Sequence, residues 1–392
     1  MSSDTHVVEP PDLFTTRVDR EYRDEAPRVV RREGGEVWRV GESDTFPPFL
    51  PARAGDRFLD DADRPDRWSP RTWKDCSFET DVPVGAYDPD AWLADLESDG
   101  VHGGIAFPTV TMVFYNHVKD TTKLDHYLRT MNDWLLEFSA AHPDRIGAAV
   151  MLNVDDADAA VAELTRTKEK GARAALVPVR NPHGYPSPQY DALWAAAADL
   201  DIPLQMHIAT TRWPDPLLFA LPGDGTTDYA GIQMMVNGPA FNIRSSLTEM
   251  VYSGVFERHP GLKVVSVENE GSWVFPLMER LDWNYRTNMR VIDAVAPFKN
   301  DALPSDFIRQ NVYISFTEDA GLVQRRHELG VDNLMWGSDY PHAESTHPYS
   351  TSILGEMLEG VPTDEQQLML QTTCAELYGF DTSDLPTPAI AA

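Results

Sequence analysis

Eight short apolar runs occur along this chain, and from about residue 88 onward longer amphipathic segments separate them. The runs cover residues 2–6, 104–107, 146–152, 174–177, 203–207, 264–267, 312–316 and 334–337. Helical patterns lie between them at residues 89–99, 123–141, 157–170, 188–199, 275–286 and 363–377. Alternation of strand and helix is typical of parallel βα units, and eight units can close a barrel. The sequence therefore predicts an α/β fold, a (β/α)8 TIM barrel that forms one domain over residues 1–392.

Two segments interrupt this alternation, because residues 7–87 and 211–240 are long, weakly periodic and rich in Pro, Gly and Asp. They follow the first and fifth predicted strands, so both begin at the end of the barrel that carries the active site in this fold. Loops of such length in a compact domain are usually binding loops or lids. We predict two long inserted loops that cover the mouth. Their aromatic stretches at 46–49 and 213–219 either face an apolar substrate or pack within the loops.

An open, doubly wound sheet is the alternative architecture for the same alternation of elements. Nucleotide-binding sheets of that type carry a G-x-G-x-x-G or G-x-x-x-x-G-K motif after a strand. Neither motif follows any of the eight apolar runs. The barrel is therefore favoured, and nucleotide binding is not expected.

The charge balance limits the partners of the protein. The 392 residues include 33 basic and 62 acidic side chains, which give a net charge of −29. Such a surface repels phosphate backbones and anionic lipids, so neither nucleic acid nor a membrane is expected as a partner. Two cysteines and the lack of an apolar leader or long apolar span favour a cytoplasmic protein. We expect a small carboxylate substrate, and a homodimer is left open.

Polar side chains lie at the carboxyl ends of the predicted strands, where a barrel places its chemistry. Asp4 and His6 end the first strand and, being two residues apart, face the same side. His207, Glu268 and Asp339 end the fifth, sixth and eighth strands. Imidazoles and carboxylates that converge in one mouth suit a divalent metal ion.

Each of these residues also has a simpler interpretation. His207 lies in an apolar run and can be a hydrogen-bonded core histidine, Asp339 can cap a turn, and Asp4 can be a frayed terminal residue. The metal hypothesis depends on their joint position. Buried carboxylates without a partner are costly, so five polar residues at the strand ends of one barrel favour a shared cation.

Further candidates follow other strand ends. His342 and His347 lie in the loop after Asp339, where they can bind substrate, hydrogen-bond a metal ligand or be solvated. Arg180 follows the fourth strand, where its guanidinium can bind an anionic group or form a surface ion pair. Trp213 begins the aromatic stretch of the second insertion. No G-x-S-x-G elbow is present, so acyl-enzyme hydrolysis is not supported.

Four motifs give the chain a family resemblance from end to end. They are DTHVVEPPDLF at 4–14, HIAT at 207–210, WVFPLMER at 273–280 and WGSDYPH at 336–342. With these motifs the chain resembles metal-dependent hydrolases of the amidohydrolase superfamily. The similar branch includes aminocarboxymuconate-semialdehyde decarboxylase and hydroxybenzoate-type decarboxylases. The resemblance implies a barrel and a metal site, but it does not fix the reaction.

The resemblance implies metal ligation by Asp4, His6, His207 and Asp339. Two departures affect the site. Asp4 stands where many relatives have the first histidine of a His-x-His pair, and Glu268 and Glu270 lie where relatives have a catalytic histidine. Glu268 is therefore a candidate ligand or acid/base group. The carboxylate-rich set favours Mn or Fe relative to Zn and is compatible with one or two ions.

We therefore expect a metal-dependent lyase or hydrolase that acts on a small, cyclic, carboxylated substrate. Asp339, Glu268 and His342 are the candidate catalytic residues. Arg180, His347 and Trp213 are the candidate substrate contacts. Two alternatives remain open: a non-haem iron monooxygenase, with one or two irons, on the same fold, and a non-catalytic barrel that binds a ligand.

Overall fold

The computed structural model describes residues 1–45, 48, 52–55, 77–181, 183–212, 229–288, 298–383 and 385, with only the backbone of 229–235. Eight parallel strands pair in sequence order and confirm the predicted barrel. They are β1 (Ser2–His6), β2 (Gly104–Phe107), β3 (Ile146–Met151), β4 (Ala174–Leu176), β5 (Leu204–His207), β6 (Val264–Val267), β7 (Val312–Phe316) and β8 (Leu334–Trp336). Each lies within one residue of its predicted bounds.

The barrel closes where the chain after β8 meets β1. The backbone N–H of Asp339 donates to the carbonyl of Asp4 at 3.0 Å, and that of His6 donates to the carbonyl of Tyr340 at 2.6 Å. These bonds join the last strand end to the first. Closure therefore places Asp339 beside Asp4 and His6, although more than 330 residues separate them along the chain.

Helices surround the strands, and every predicted helix is present in whole or in part. The α-helices span Leu13–Arg17, Phe78–Asp81, Pro89–Ser98, Phe114–His117, Thr121–Ala140, Ala157–Glu169, Asp191–Asp199, Tyr229–Tyr252, Val255–Arg258, Val274–Thr287, Pro304–Asn311, Ala320–Gln324, Arg326–Leu329, Ser350–Met357, Thr363–Gln367 and Thr373–Leu377. Short 3-10 helices span Arg20–Glu25, Val84–Ala86, Thr111–Val113, Pro188–Tyr190, Lys299–Asp301 and Val331–Asn333, and a π-helical turn spans Leu368–Thr372. The helix expected at 188–199 thus begins as a 3-10 turn.

Both predicted insertions contain regular structure that the sequence pattern does not reveal. In the first, an antiparallel sheet of three strands spans Arg28–Arg32, Gly35–Val40 and Ser43–Asp44. In the second, the helix Tyr229–Tyr252 begins within residues 211–240 and continues past them. The insertions are therefore present as predicted, and they contain strands and a helix in addition to loops.

The strands form the centre of the core, since all residues of β1, β2, β3, β5 and β6 are buried. Surrounding helices add buried apolar side chains to it, as helix Pro89–Ser98 does with Trp92, Leu93 and Leu96. The carboxylate of Asp88 begins that helix by accepting from the N–H groups of Asp90 and Ala91. In the described part of the chain, no helix is both long and apolar enough to span a membrane.

Candidate metal centre

Six potential metal-binding side chains meet at the carboxyl end of the barrel. Asp4 and His6 lie on β1, His207 ends β5, Glu268 directly follows β6, and Asp339 and His342 follow β8. Asp4, His6, His207 and Asp339 are at most 1% exposed. The side chains of Glu268 and His342 are 17% and 15% exposed and lie at the outer side of the cluster. The structure thus brings together all five sequence-predicted ligands and His342.

Three donor atoms form a compact triangle. The Nε2 atoms of His6 and His207 are 3.2 Å apart, and Asp4 Oδ1 lies 3.4 Å from the first and 3.6 Å from the second. Two donors at about 2.1 Å from one ion lie about 3.0 to 3.4 Å apart for octahedral or tetrahedral angles. Two edges of the triangle lie in this range and the third exceeds it by 0.2 Å, so the triangle is close in size to one face of a metal coordination shell.

Backbone carbonyls fix the orientation of the two imidazoles in this triangle. His6 Nδ1 lies 3.1 Å from the carbonyl of Pro108, and His207 Nδ1 lies 3.0 Å from the carbonyl of Ile208. A carbonyl only accepts, so each Nδ1 must carry the hydrogen. Each Nε2 then directs a lone pair toward Asp4, which is the arrangement that metal-binding histidines adopt.

The remaining donors extend the triangle on two sides. Glu268 Oε2 lies 3.5 Å from His207 Nε2, while Asp339 Oδ1 lies 3.5 Å from His6 Nε2 and 2.8 Å from His342 Nδ1. The donors form two overlapping groups, and within each group all ligand atoms lie within 4.8 Å of one another. The first group contains Asp4, His6, His207 and Glu268. The second contains His6, Glu268, Asp339 and His342. Asp339 thus shares a group with His342 rather than with Asp4 and His207.

The backbone is strained at the two carboxylates that follow strands. Glu268 and Asp339 have φ values of 54° and 58°, in the left-handed region that non-glycine residues rarely adopt. Such residues cluster at functional sites, where the surrounding structure holds a side chain in a required direction. Here the strained conformation accompanies side chains that turn toward the triangle.

The donor set fits a divalent cation. Neither carboxylate oxygen of Asp4 has a hydrogen-bond partner within the described part of the chain, although the side chain is 1% exposed. Burial opposes the negative charge of Asp4. A buried anion of this kind is expensive unless a cation compensates it. The cluster is therefore a site for a divalent metal ion.

Burial keeps the imidazoles of His6 and His342 neutral. It lowers the pKa of His6 to about 3, with a further contribution from nearby His342, and it lowers the pKa of His342 to about 4. Neutral imidazole is the form that binds a metal. Glu268 responds in the opposite direction, because burial and the charges of Asp339 and Asp4 raise its pKa well above the ordinary value. Its carboxyl group therefore retains a proton to higher pH.

Arg180 and His347, two of the three sequence-predicted substrate contacts, are not members of the six-residue cluster. Arg180 Nη1 forms an ion pair with Glu249 at 3.0 Å. The His347 ring packs against the Tyr340 ring with centroids 4.9 Å apart, and neither ring nitrogen has a hydrogen-bond partner among the described residues. Trp213 lies outside the described residues.

Sequence reasoning missed the residues that support the cluster. Glu9 is fully buried and binds the loop after β2, which contacts His6. Arg212 pairs with Asp155 at 2.6 Å and donates to the carbonyls of Tyr115 and Val118 at 2.7 and 2.8 Å, so it ties together the loops after β2, β3 and β5. The position of Glu9 inside the DTHVVE motif was a usable signal, whereas the pairing of Arg212 depends on tertiary structure.

Three comparisons with known proteins agree with this fold. A gamma-resorcylate decarboxylase from Rhizobium sp. (strain MTP-10005) is 27% identical over 245 residues, which cover 59% of this chain and 70% of that protein. A solved amidohydrolase from Mycobacterium avium subsp. paratuberculosis K-10 has a TM-score of 0.78 at 24% identity and covers 98% of both chains. A dihydroxybenzoic acid decarboxylase from Polaromonas sp. JS666, solved with manganese and 2-nitroresorcinol, has a TM-score of 0.56 at 19% identity, covering 82% of this chain and 91% of that one.

The two solved structures establish the fold, and a family profile establishes the membership. The profile described as "Amidohydrolase" matches residues 111–380, which is more than half of the chain. This protein therefore belongs to the amidohydrolase family of enzymes.

Proposed function

We propose that the protein is a metal-dependent lyase or hydrolase that acts on a small, cyclic, carboxylated substrate. Within this class, the reaction we propose is the non-oxidative decarboxylation of an aromatic acid. The observation that carries the proposal is the triangle of Asp4, His6 and His207 with Glu268 beside it. Two of the relatives named above, the gamma-resorcylate decarboxylase and the dihydroxybenzoic acid decarboxylase, support this reaction. Asp4, His6, His207 and Asp339 are the proposed metal ligands, and Glu268 is proposed either as a ligand of a second ion or as the general acid.

A bound divalent ion would polarise a substrate oxygen and neutralise negative charge in the mouth. The protein residues supply the proton. As the general acid, Glu268 donates a proton to the ring carbon that bears the carboxylate. The carbon–carbon bond then breaks, its electron pair returns to the ring, CO2 leaves, and Glu268 regains a proton from solvent. Asp339, in contact with His342, is the second proposed proton carrier.

The proposed substrate contacts complete this assignment. A substrate carboxylate that binds Arg180 must compete with Glu249 for its guanidinium. His347 offers two ring nitrogens without hydrogen-bond partners among the described residues. The segments 7–87 and 211–240, with Trp213, would enclose the bound ring.

A direct assay tests the reaction. The purified protein is loaded with Mn²⁺ and incubated without air with 2,6-dihydroxybenzoate, the ligand of one solved relative, and with a panel of related aromatic acids. We expect CO2 release from at least one acid, with one solvent deuterium incorporated into the ring when the assay is run in D2O. Turnover that requires O2, or metal-loaded protein inert on the entire panel, contradicts a decarboxylase.

The two overlapping donor groups favour one alternative function, a non-haem iron monooxygenase with two irons. The groups share His6 and Glu268 and together contain three carboxylates and three imidazoles, a set rich in oxygen ligands. Elemental analysis separates the two functions. The oxygenase requires close to two Fe per chain and consumption of O2 in step with product. Undiminished turnover without air eliminates it.

A further inference from the structure

A buried glutamate outside the six-residue cluster holds the loop that follows β2. Glu9 is 0% exposed, and its carboxylate accepts three hydrogen bonds. The donors are the N–H of Val110 at 2.9 Å, the N–H of Thr111 at 2.8 Å and the hydroxyl of Thr111 at 2.7 Å. Multiple bonds to one buried carboxylate fix a short loop strongly, because breaking any of them leaves a desolvated charge with fewer donors.

The loop that Glu9 holds contacts two imidazoles of the cluster. The carbonyl of Pro108 lies 3.1 Å from His6 Nδ1. The hydroxyl oxygen of Thr109 lies 3.2 Å from His342 Nε2 and 3.4 Å from His6 Nδ1. The His6 and His342 rings stack with centroids 4.0 Å apart. Glu9 therefore lies one short loop away from both rings.

With Asp339 ionised and His342 neutral, one arrangement of hydrogens satisfies these contacts. His6 Nδ1 donates to the Pro108 carbonyl, because that oxygen cannot donate. The Thr109 oxygen can accept weakly from the same N–H, and its own hydrogen is then directed to His342 Nε2. His342 Nδ1 consequently carries its hydrogen toward Asp339 Oδ1, 2.8 Å away. The loop thus sets the tautomer of His6 and leaves its Nε2 lone pair directed at the metal site, and together with Asp339 it sets the tautomer of His342.

We propose that Glu9 is a positioning residue that sets the tautomers of His6 and His342 by fixing loop 108–111. It touches neither ring and acts through Pro108 and Thr109. Partners that orient metal-binding histidines typically contribute 10- to 100-fold to metal affinity. The affinity part of this inference rests on the proposed metal function, whereas the tautomer part can be measured in metal-free protein.

The test compares Glu9→Gln with wild type and with Glu257→Gln. Glutamine cannot accept from all three donors, because its amide nitrogen presents hydrogens to them. Glu257 provides a matched control, since its carboxylate accepts from the backbone N–H of Lys299 at 2.7 Å and lies before β6, away from the mouth. Two quantities are measured: the Kd for Mn²⁺ by calorimetry, and the 15N chemical shifts of histidine rings in selectively labelled, metal-free protein.

We expect Glu9→Gln to raise the Kd for Mn²⁺ by about 10- to 100-fold and to mix the tautomers of His6 and His342, with Glu257→Gln unchanged in both. A purely structural role for Glu9 lowers the melting temperature but leaves both quantities at wild-type values in the folded protein, and that result overturns the proposal. If the wild-type protein binds no Mn²⁺, the proposed function is contradicted. The role of Glu9 is then still decided by the histidine tautomers of the metal-free protein.

A second variant covers the case in which Glu9→Gln does not fold. Thr109→Val keeps Glu9 and the shape of the loop but removes the hydroxyl that contacts His342. We expect the His342 nitrogen shifts to change while the His6 tautomer, which Pro108 fixes, is retained. Unchanged His342 shifts in this variant overturn the proposed link between the loop and the ring.

Discussion

The Nε2 atoms of His6 and His207 lie 3.2 Å apart, although the two residues come from strands on different sides of the barrel mouth. Both rings direct Nδ1 to a backbone carbonyl, so two lone pairs converge on one point next to Asp4. Two neutral imidazoles this close gain nothing from each other, and a shared cation accounts for the arrangement.

Removal of one donor should release the metal. We expect His207→Ala and Asp339→Ala to lose most bound metal and activity while the barrel persists, because each deletes an atom of the cluster. Metal-to-protein ratio by elemental analysis is the measurement, with circular dichroism as the check on folding. His126→Ala is the matched control, since that imidazole pairs with Asp19 at 2.9 Å, outside the cluster. Full metal occupancy in either cluster variant contradicts the ligand assignment.

Glu268→Gln separates two roles of this residue. Glutamine retains the size of the side chain and an oxygen that binds metal weakly, but it cannot donate the proton that the proposed reaction needs. A general acid would therefore lose about 10²- to 10⁴-fold in kcat with metal content unchanged. A ligand of a second ion would lower the metal-to-protein ratio instead. Wild-type kcat together with wild-type metal content excludes both roles.

In the metal-free protein, His6 and His342 should each destabilise the folded state as the pH falls from about 6.5 toward 4. The pKa values of His6 and His342 lie below their ordinary value, at about 3 and about 4. In this window the unfolded chain binds protons that the folded chain does not, so the free energy of unfolding decreases by up to about 1.4 kcal/mol per pH unit for each imidazole. Glu268 opposes this trend, because its raised pKa favours the folded state at acid pH.

Urea denaturation of wild type and His342→Gln at several pH values isolates one imidazole. The variant lacks one of the two groups, so its free energy of unfolding should depend less steeply on pH, by about 1.4 kcal/mol per pH unit at most. Equal slopes in the two proteins show that His342 does not remain neutral in the folded state.

The segments 7–87 and 211–240 should become more resistant to proteolysis when substrate binds, if they enclose it. Bound ligand reduces local opening of the backbone that contacts it. Limited proteolysis with and without the acid identified in the turnover assay measures this, with cleavage in the rest of the chain as the internal reference. Equal cleavage rates in both segments at saturating acid count against a role as lids.

The barrel could be predicted from sequence because its strands are short, apolar and separated by helical patterns. The helix Tyr229–Tyr252 could not, since Pro239 lies inside it and interrupts the helical signal. Packing maintains it instead, as Ile243, Leu247 and Met250 are fully buried. The small sheet that contains Gly35–Val40 was missed because its strands are mostly half-exposed and carry charges.

The residues of the metal centre could be predicted from sequence, but the arrangement of their donor atoms could not. The strand ends identify Asp4, His6, His207, Glu268 and Asp339, because the barrel topology brings those ends together. Which donors share a coordination shell depends on side-chain directions. The left-handed backbone at Glu268 and Asp339, and the contact of Asp339 with His342, have no local sequence signal.

Gly337 should be required for the position of Asp4. A Cβ atom at residue 337 would lie 2.5 Å from Asp4 Cβ and 3.1 Å from the Asp4 backbone nitrogen, so Gly337→Ala must displace the strand that carries this donor. We expect a loss of about 1 to 3 kcal/mol in the free energy of unfolding, together with weaker Mn²⁺ binding by the folded protein. Gly34→Ala is the matched control, because a Cβ there meets no atom within 4 Å. Urea denaturation measures the change in stability, and calorimetry measures the affinity for Mn²⁺. If Gly337→Ala binds Mn²⁺ as tightly as wild type does, Asp4 is not a ligand or is not displaced.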